Sequence, residues 1–505
     1  MSSSIYTGCS ITINCPLSTV HYQLSTMSNQ LIVSISGLRG IYGQGLDLEV
    51  AMRFTAAFAQ LSASQHGAKT YRTMIIGRDG RSTGMAFTGA IASLLQGIGW
   101  QVIDLGLATT PTIAMAVPHY GATAGIIISA SHNPPQWNGL KFLDPEGEFI
   151  PAEHWAWIQQ WVESEKKIPY ANYRQLGNYQ VKDALSHHIE AILALPYINL
   201  PQDSSNGKEI SAIQKQDFKI VVDGVNSVGN IAIPALLEAL GVKKERIILI
   251  HHSLSGEFER PGEPLAAHVD KLKEVVVQEK ADLGLAVDPD GDRLALVDNQ
   301  GIYVNEELTQ VIAADFLWRF RSGCFVTNLS SSMAIDTVAK KYGMEVYRSA
   351  VGEKNVVQKM KDTGAILGGE GNGGVILPEV HYGRDSLVGT ALLLQHLANE
   401  NISLGQLRHS LPEYVIVKEK IAIGSTDVQA ILTQLANKYA AENISTEDGL
   451  RITREDSWAH IRPSNTEPIV RIYTEAKGKV LAEELAASFK ADVRELIQNE
   501  KGHSS

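Results

Sequence analysis

Cysteine is scarce in this chain, with three in 505 residues. Cys9 and Cys15 lie close to the N-terminus and Cys324 stands alone. That usage excludes a disulfide framework or a cysteine-rich zinc site and points to a reducing compartment, so a cytoplasmic location is expected. No run of eighteen apolar residues occurs, and no membrane-spanning helix is expected. The stretch 1–26 is rich in Ser and Thr and contains neither Lys nor Arg. It therefore lacks the basic start and apolar block of a signal peptide, and residues 1–29 are expected to be a disordered extension. Basic surplus is also missing: 44 Lys and Arg against 55 Asp and Glu leave a net charge of -11, which argues against nucleic acid as a partner. A small anionic ligand stays compatible with that charge, because a few converging Arg and Lys side chains outweigh a distant acidic surface.

What is present is the composition of a globular chain: 44% hydrophobic residues, 20% charged residues and a mean hydropathy of -0.05. At roughly 150 residues per domain, the length corresponds to three or four domains. One pattern occurs three times. TMIIG reads as a strand, Ile91, Leu94, Leu95 and Ile98 as one helix face, Gly99 as its cap, and WQVIDLG as the next strand. The second copy has FKIVVDG, then Ile233, Leu236, Leu237 and Leu240, then Gly241 and RIILIH. The third has CFVTN, then Ile335, Val338, Ala339 and Tyr342, then Gly343 and MEVYRS. After 411 the pattern changes to EYVIVKEKIAI, a helical stretch over 426–442, two further strand-like runs, RITREDSWAHIRP and PIVRIYTE, and a long amphipathic helix over 479–498. The expected fold is α/β: three similar mixed-sheet domains over 30–183, 184–302 and 303–410, an α+β domain over 411–499, and a tail over 500–505.

Four segments carry chemistry. Asp288-Pro289-Asp290-Gly291-Asp292-Arg293 follows the apolar run LGLAV. Alternate carboxylates there can turn to one point and offer hard oxygens to Mg²⁺; the other reading is a solvated acidic turn. An EF-hand is excluded, because Arg293 stands where that loop needs Gly and Asn299 where it needs Glu. Ser129-Ala130-Ser131-His132-Asn133-Pro134 follows GIIIS, which sets Ser131 and His132 on a turn at a strand's carboxyl end, where open α/β sheets bind ligands. A serine needs a base or a metal to act as a nucleophile, and Lys141 in NGLK returns toward the same cleft. Gly369-Glu370-Gly371-Asn372-Gly373-Gly374 matches GxGxxG, but VILPEV follows where a dinucleotide site needs a helix. Glu370 and Asn372 suit sugar hydroxyls instead. Arg462-Pro463-Ser464-Asn465-Thr466-Glu467-Pro468 gathers a guanidinium, hydroxyls and an amide suited to a phosphate, or to an N-cap turn.

In this order SASHNP, DPDGDR, GEGNGG and RPSNTEP resemble the motifs of the α-D-phosphohexomutase superfamily, over nearly the whole chain after residue 30. The resemblance implies four domains around a central cleft, the first three alike. It implies that Ser131 carries a phosphoryl group and that Asp288, Asp290 and Asp292, with the phosphoserine, hold Mg²⁺. Arg39 in SGLRG and Arg293 correspond to arginines near the phosphoserine, and His132 and Lys141 to candidate proton-transfer residues. Glu370 and Asn372 take the sugar-loop positions, although many relatives have Ser at the latter. Arg462, Ser464, Asn465 and Thr466 correspond to the clamp for the unreacting phosphate, and Lys354 in VGEK to a loosely aligned basic or polar position. The implied enzyme is an intramolecular phosphotransferase that interconverts hexose 6-phosphate and hexose 1-phosphate through hexose 1,6-bisphosphate. Glucosamine phosphate is the first expected substrate, with glucose and mannose phosphates the alternative. A sugar-phosphate-binding protein without catalysis is the rival outside the enzymes. The expected oligomeric state is monomer or homodimer.

Overall fold

The computed structural model describes residues 31–34, 37–65, 72–202, 210–424, 427–463 and 469–503. The extension expected over 1–29 lies outside the described residues. All three repeats form as read. Strand Thr73–Arg78, helix Gly84–Gly97 and strand Gln101–Leu107 make the first. Strand Ile220–Asp223, helix Gly229–Ala239 and strand Ile247–Ile250 make the second, and strand Phe325–Asn328, helix Ala334–Tyr342 and strand Val346–Ser349 the third. The glycine after each helix takes positive φ, at 84°, 94° and 68° for Gly99, Gly241 and Gly343, which turns the chain back toward the sheet.

In each sheet the strand that opens the repeat is an interior strand. It pairs in parallel with the strand after the helix on one side and with a third strand on the other: Ala124–Ile128, Leu283–Val287 and Leu367–Glu370 respectively. That third strand then turns back as an antiparallel hairpin into Trp137–Leu143, Leu294–Asp298 or Gly374–Ile376. SASHNP, DPDGDR and the glycine loop therefore sit at one topological position, the hairpin turn at the carboxyl end of the third strand. The first sheet has seven strands, the second five and the third four. The strands flanking DPDGDR and the strand after the glycine loop agree with the exclusion of an EF-hand and of a dinucleotide site.

The last domain is α+β, with a five-stranded antiparallel sheet and a helix over Lys479–His503. One expectation differs in detail: RITREDSWAHIRP forms two strands, Leu450–Thr453 and Ser457–Pro463, rather than one. The polar residues Arg454, Glu455 and Asp456 make the turn, and the backbone N–H of Arg454 donates to the Ser457 carbonyl at 2.8 Å.

Buried polar contacts tie the sheets together. Asp385 caps helix Ser386–Glu400 by accepting from Leu387 and Val388, and its other oxygen lies 2.7 Å from His188 Nε2 and 3.1 Å from His381 Nε2. His188 Nδ1 is in turn 2.9 Å from Thr112 Oγ1 of the first domain. Burial opposes ionisation of Asp385, but His188 and His381 hold its carboxyl below the usual range. Its stabilisation is therefore present above the unfolded carboxyl value of about 3.9 and is lost as pH falls below it. Asp385→Asn keeps the cap and removes the charge. It is expected to cost about 3 kcal/mol near neutrality, and calorimetric melting should show its gap to wild type constant above about pH 4 and narrowing as pH falls below it. A gap independent of pH would contradict this role.

Candidate active site

Ser131 is 2% exposed and adopts φ 51°, the left-handed region that costs a non-glycine residue roughly 1 kcal/mol or more. Arg81 holds this turn. Itself buried, it donates to the carbonyls of Ser131 (2.6 Å), Asn133 (2.7 Å), Pro134 (2.6 Å) and Trp137 (2.9 Å), while its Nε donates to Asp79 at 3.0 Å. Asp79 also accepts from Ser129 Oγ at 2.6 Å, and Ser129 Oγ accepts from the Ser131 N–H at 2.8 Å. The serine turn is thus braced by a second loop, Asp79-Gly80-Arg81, at the end of the neighbouring strand. From the second domain, Gly262 packs so closely under it that a Cβ there would stand 2.7 Å from the His132 carbonyl oxygen.

Ser131 Oγ donates to Asp288 Oδ2 at 3.2 Å. Asp288, Asp290 and Asp292 offer oxygens within 4.8 Å of one another, and all three are fully or nearly fully buried. The loop that carries them is folded around Asp288, whose Oδ1 accepts from the N–H groups of Asp292 and Arg293, both at 3.1 Å. Burial, then Asp292 and Asp290, pushes the Asp288 carboxyl well above its ordinary value. Burial works in the same direction on Asp290, but Lys141 and a hydrogen bond with Asp288 pull it below the usual range. Lys141 Nζ lies 2.7 Å from Asp290 Oδ2, which Thr110 Oγ1 also reaches at 2.8 Å. Asp290 Oδ1 and Asp292 Oδ1 remain buried without a hydrogen-bond partner. Three crowded carboxylates, two of them with an orphaned oxygen and one favouring its proton, fit a divalent cation that would replace that proton.

His132 and the arginines surround the serine. His132 Nδ1 lies 3.4 Å from Ser131 Oγ and 3.2 Å from Arg293 Nη2. Because a guanidinium only donates, Nδ1 accepts and the ring proton sits on Nε2. Burial, then Arg293 and Arg39, holds the imidazole down to about 2, so it is neutral at physiological pH. Arg293 is anchored by Glu263 at 2.9 Å, and Arg39 Nη1 donates to Asn133 Oδ1 at 3.2 Å. The Arg39 Nε is buried and unpartnered.

The glycine loop meets this group through Arg384, a residue that motif reading did not single out. Its Nη2 donates to Asp292 Oδ2 at 2.6 Å and its Nη1 to Glu370 Oε2 at 2.7 Å, and Glu353 lies 3.4 Å from Nε. Burial opposes the charge of Arg384, but Asp292, Glu353 and Glu370 hold it well above the ordinary value. The Leu294 N–H also donates to the Gly373 carbonyl at 3.0 Å, which stitches the metal loop's outgoing strand to the glycine loop. Glu370 Oε1 accepts from Asn328 Nδ2 at 3.0 Å and from Gly352 N–H at 3.3 Å.

Ser131, His132, Lys141, Arg39, Arg293 and the three aspartates are therefore brought together, with Glu370 beside them. Three further expected residues make contacts of their own. Asn372 Oδ1 accepts from the Gly374 N–H at 3.2 Å and so closes its own loop. Lys354 Nζ donates to the Phe149 carbonyl at 2.6 Å and ties the third domain to the first. Arg462 lies in the fourth domain, 3.6 Å from Asp448, with its Nε buried and unpartnered. Ser464, Asn465 and Thr466 lie outside the described residues. Arg384 adjoins Asp385 and Arg81 follows Asp79 by two residues, both in loops outside the four motifs, so neither carried more than a weak signal in the sequence.

Arg384 orients Asp292 from outside the carboxylate group, and such partners typically contribute about 10–100-fold to metal affinity. Arg384→Met is expected to weaken Mn²⁺ binding by at least about tenfold, read by electron paramagnetic resonance of free Mn²⁺. An affinity within about twofold of wild type would remove Arg384 from this role.

Four family descriptions match the chain. Phosphoglucomutase/phosphomannomutase alpha/beta/alpha domain I covers residues 31–169, domain II 199–301, domain III 306–414, and the C-terminal domain 414–491. A phosphoglucomutase/phosphomannomutase of Thermococcus kodakarensis is 33% identical over 452 residues, which is 89% of this chain and 95% of that protein. A probable phosphoglucosamine mutase of Pyrococcus horikoshii is 31% identical over 471 residues, or 92% and 98%. The crystal structure of a phosphoglucomutase/phosphomannomutase family protein from Burkholderia thailandensis superposes with a TM-score of 0.75 at 26% identity, covering 92% of this chain and 98% of that one. Their agreement with three like domains, a distinct fourth and a buried carboxylate triad beside a strained serine leaves one conclusion: the chain belongs to the phosphoglucomutase/phosphomannomutase family and is a phosphohexomutase, an isomerase.

Proposed function

We propose that the enzyme moves a phosphoryl group between O6 and O1 of a hexose, with Ser131 as covalent carrier and the hexose 1,6-bisphosphate as intermediate. The observation that carries this reading is Ser131 Oγ held 3.2 Å from Asp288, among Asp290, Asp292, Lys141, His132 and Arg293. Asp288, Asp290 and Asp292, with an oxygen of the phosphorylated Ser131, are the residues that would hold Mg²⁺. When bound, that ion neutralises charge on the transferring phosphate. Arg39 and Arg293 flank the phosphoserine and add donors for its oxygens.

Of the two candidates His132 is the one with no proton to lose before it accepts one, and the negative charge of a phosphorylated Ser131 beside it would offset Arg293 and Arg39, which, after burial, hold its basicity down. It is neutral and presents an unprotonated Nδ1, whereas the Lys141 ammonium is committed to Asp290. In the forward step the Ser131 O–P bond breaks, the sugar hydroxyl oxygen takes the phosphorus, and His132 takes the hydroxyl proton and passes it to the departing Ser131 Oγ, which lies 3.4 Å from Nδ1. After the bisphosphate turns over in the cleft, its other phosphate returns to Ser131. Glu370 is the group for sugar hydroxyls, and Arg462 with Ser464, Asn465 and Thr466 for the phosphate that is not reacting.

Glucosamine phosphate is the favoured sugar, supported by the loop wording GEGNGG followed by HYGRD and by relatives named for that substrate. The 33% identical phosphoglucomutase/phosphomannomutase supports glucose and mannose phosphates as the second reading. The reading also takes the enzyme as cytoplasmic.

Initial rates on glucosamine, glucose and mannose 6-phosphates, with Mg²⁺ and matching bisphosphate, are expected to give the highest kcat/KM for glucosamine. Ser131→Ala should lower turnover on all three by at least about 10³-fold, as loss of a covalent carrier does, with melting temperature nearly unchanged. Near-normal turnover in that variant would overturn the carrier role, and a preference for glucose or mannose would overturn the sugar assignment.

A further inference from the structure

The third and fourth domains meet along a crevice of about 120 Å³ whose walls include Arg348, Asp336 and Met333 on one side and Arg451, Asn443 and Ser445 on the other. Arg451, on strand Leu450–Thr453, is 3% exposed, and its guanidinium stacks over Trp458 with 4.9 Å to the ring centroid. Stacking covers a face of the guanidinium and leaves its edge to find partners. Two of its nitrogens, Nε and Nη1, are buried without a hydrogen bond. Across the crevice, Arg348 forks Asp336 at 2.9 and 2.7 Å and reaches the Ser332 carbonyl at 3.2 Å, but its Nε is also buried and unpartnered.

The carboxylate of Glu475 does not resolve this. Its Oε2 accepts from the Met333 N–H at 2.7 Å and from Trp458 Nε1 at 2.6 Å, and no hydrogen bond joins it to Arg451. Burial, then Arg348, pushes the Arg451 guanidinium well below its ordinary value, and the opposing pull of Asp336 and Glu475 does not restore it. A buried cation whose donors have no acceptor is a costly arrangement that an anion relieves. Guanidinium edges match the oxygens of phosphate and carboxylate. The space is several times what one water needs, and well under the ~300–1,000 Å³ of pockets that enclose drug-sized ligands.

We propose that this crevice is a second anion site, separate from the catalytic cleft, in which Arg348 and Arg451 bind a free oxyanion of the size of inorganic phosphate and fix the fourth domain on the third. The consequence reaches the cleft through short links. The strand that carries Arg348 runs into residues 350–352, where the Ala350 and Val351 N–H groups donate to Glu447 (3.2 Å) and Asp448 (3.0 Å) of the fourth domain. Gly352 N–H donates to Glu370, and Asp448 faces Arg462. An ion that stiffens this seam therefore acts on the sugar loop and on the arginine of the fourth domain together.

Calorimetric titration of the magnesium-loaded full-length enzyme with inorganic phosphate tests the site, and Arg462→Ala separates it from phosphate bound in the cleft. The expected result is a phosphate site that survives Arg462→Ala and is weakened at least tenfold by Arg451→Met or by Arg348→Gln in that background. Arg451→Met should also melt no lower than wild type in phosphate-free buffer, since it removes a cation with empty donors. Should Arg451→Met fail to fold, Arg348→Gln carries the same comparison. Loss of all phosphate binding in Arg462→Ala, or wild-type phosphate affinity in the variants of both crevice arginines, would overturn the proposal.

Discussion

Three carboxylates buried within 4.8 Å of one another are the constraint around which the rest of the molecule is arranged. Charges of one sign at that spacing, away from water, are strongly unfavourable unless cations or protons stand among them. The balancing groups come from different domains: Lys141 from the first, Arg293 from the loop itself and Arg384 from the third. Each cation has a second attachment or a fixed place in a sheet. Lys141 lies on the strand that leaves the serine turn, Arg293 is held by Glu263, and Arg384 reaches Glu370 and Glu353. The carboxylate group thereby does two things at once. It makes a place for a divalent ion, and it draws the serine, metal and sugar loops into one cleft.

Topology makes that convergence possible. The serine turn, the metal loop and the glycine loop each close the same hairpin in their own sheet, at the carboxyl end of the strand beside the one that opens the repeat. A repeated domain therefore supplies three equivalent turns, and each has diverged in chemistry while keeping its place. Strain is concentrated where the chemistry is: Ser131 stands at φ 51° and is kept there by Arg81, which donates to four carbonyls of the loop. An enzyme that must present one hydroxyl in one direction gains from such bracing, because positioning dominates phosphoryl transfer.

Most of this architecture was legible in the residues. Helical and strand periodicity with a closing glycine identified all three repeats, because those helices bury one face and each is followed by a glycine at positive φ. The motifs located Ser131 and the three aspartates because their chemistry depends on local spacing within one loop. Arg81 and Arg384 were not legible, since their roles depend on which loops lie next to each other in space. The hairpin inside RITREDSWAHIRP was hidden for another reason: its turn is made by charged residues rather than by Gly, Pro or Asn. Lys354 also gained a contact that its sequence did not show, the bond from its ammonium to the Phe149 carbonyl of the first domain.

The central claim is that the buried carboxylates and the serine above them pass one phosphoryl group from protein to sugar. Its most direct test follows the phosphorus. Enzyme labelled with ³²P on Ser131 and loaded with Mg²⁺ is mixed with unlabelled hexose 6-phosphate for a single turnover, and the products are separated. The account predicts that label leaves the protein into hexose bisphosphate and hexose phosphate. Label released as inorganic phosphate, or retained on the protein while product forms, would contradict it.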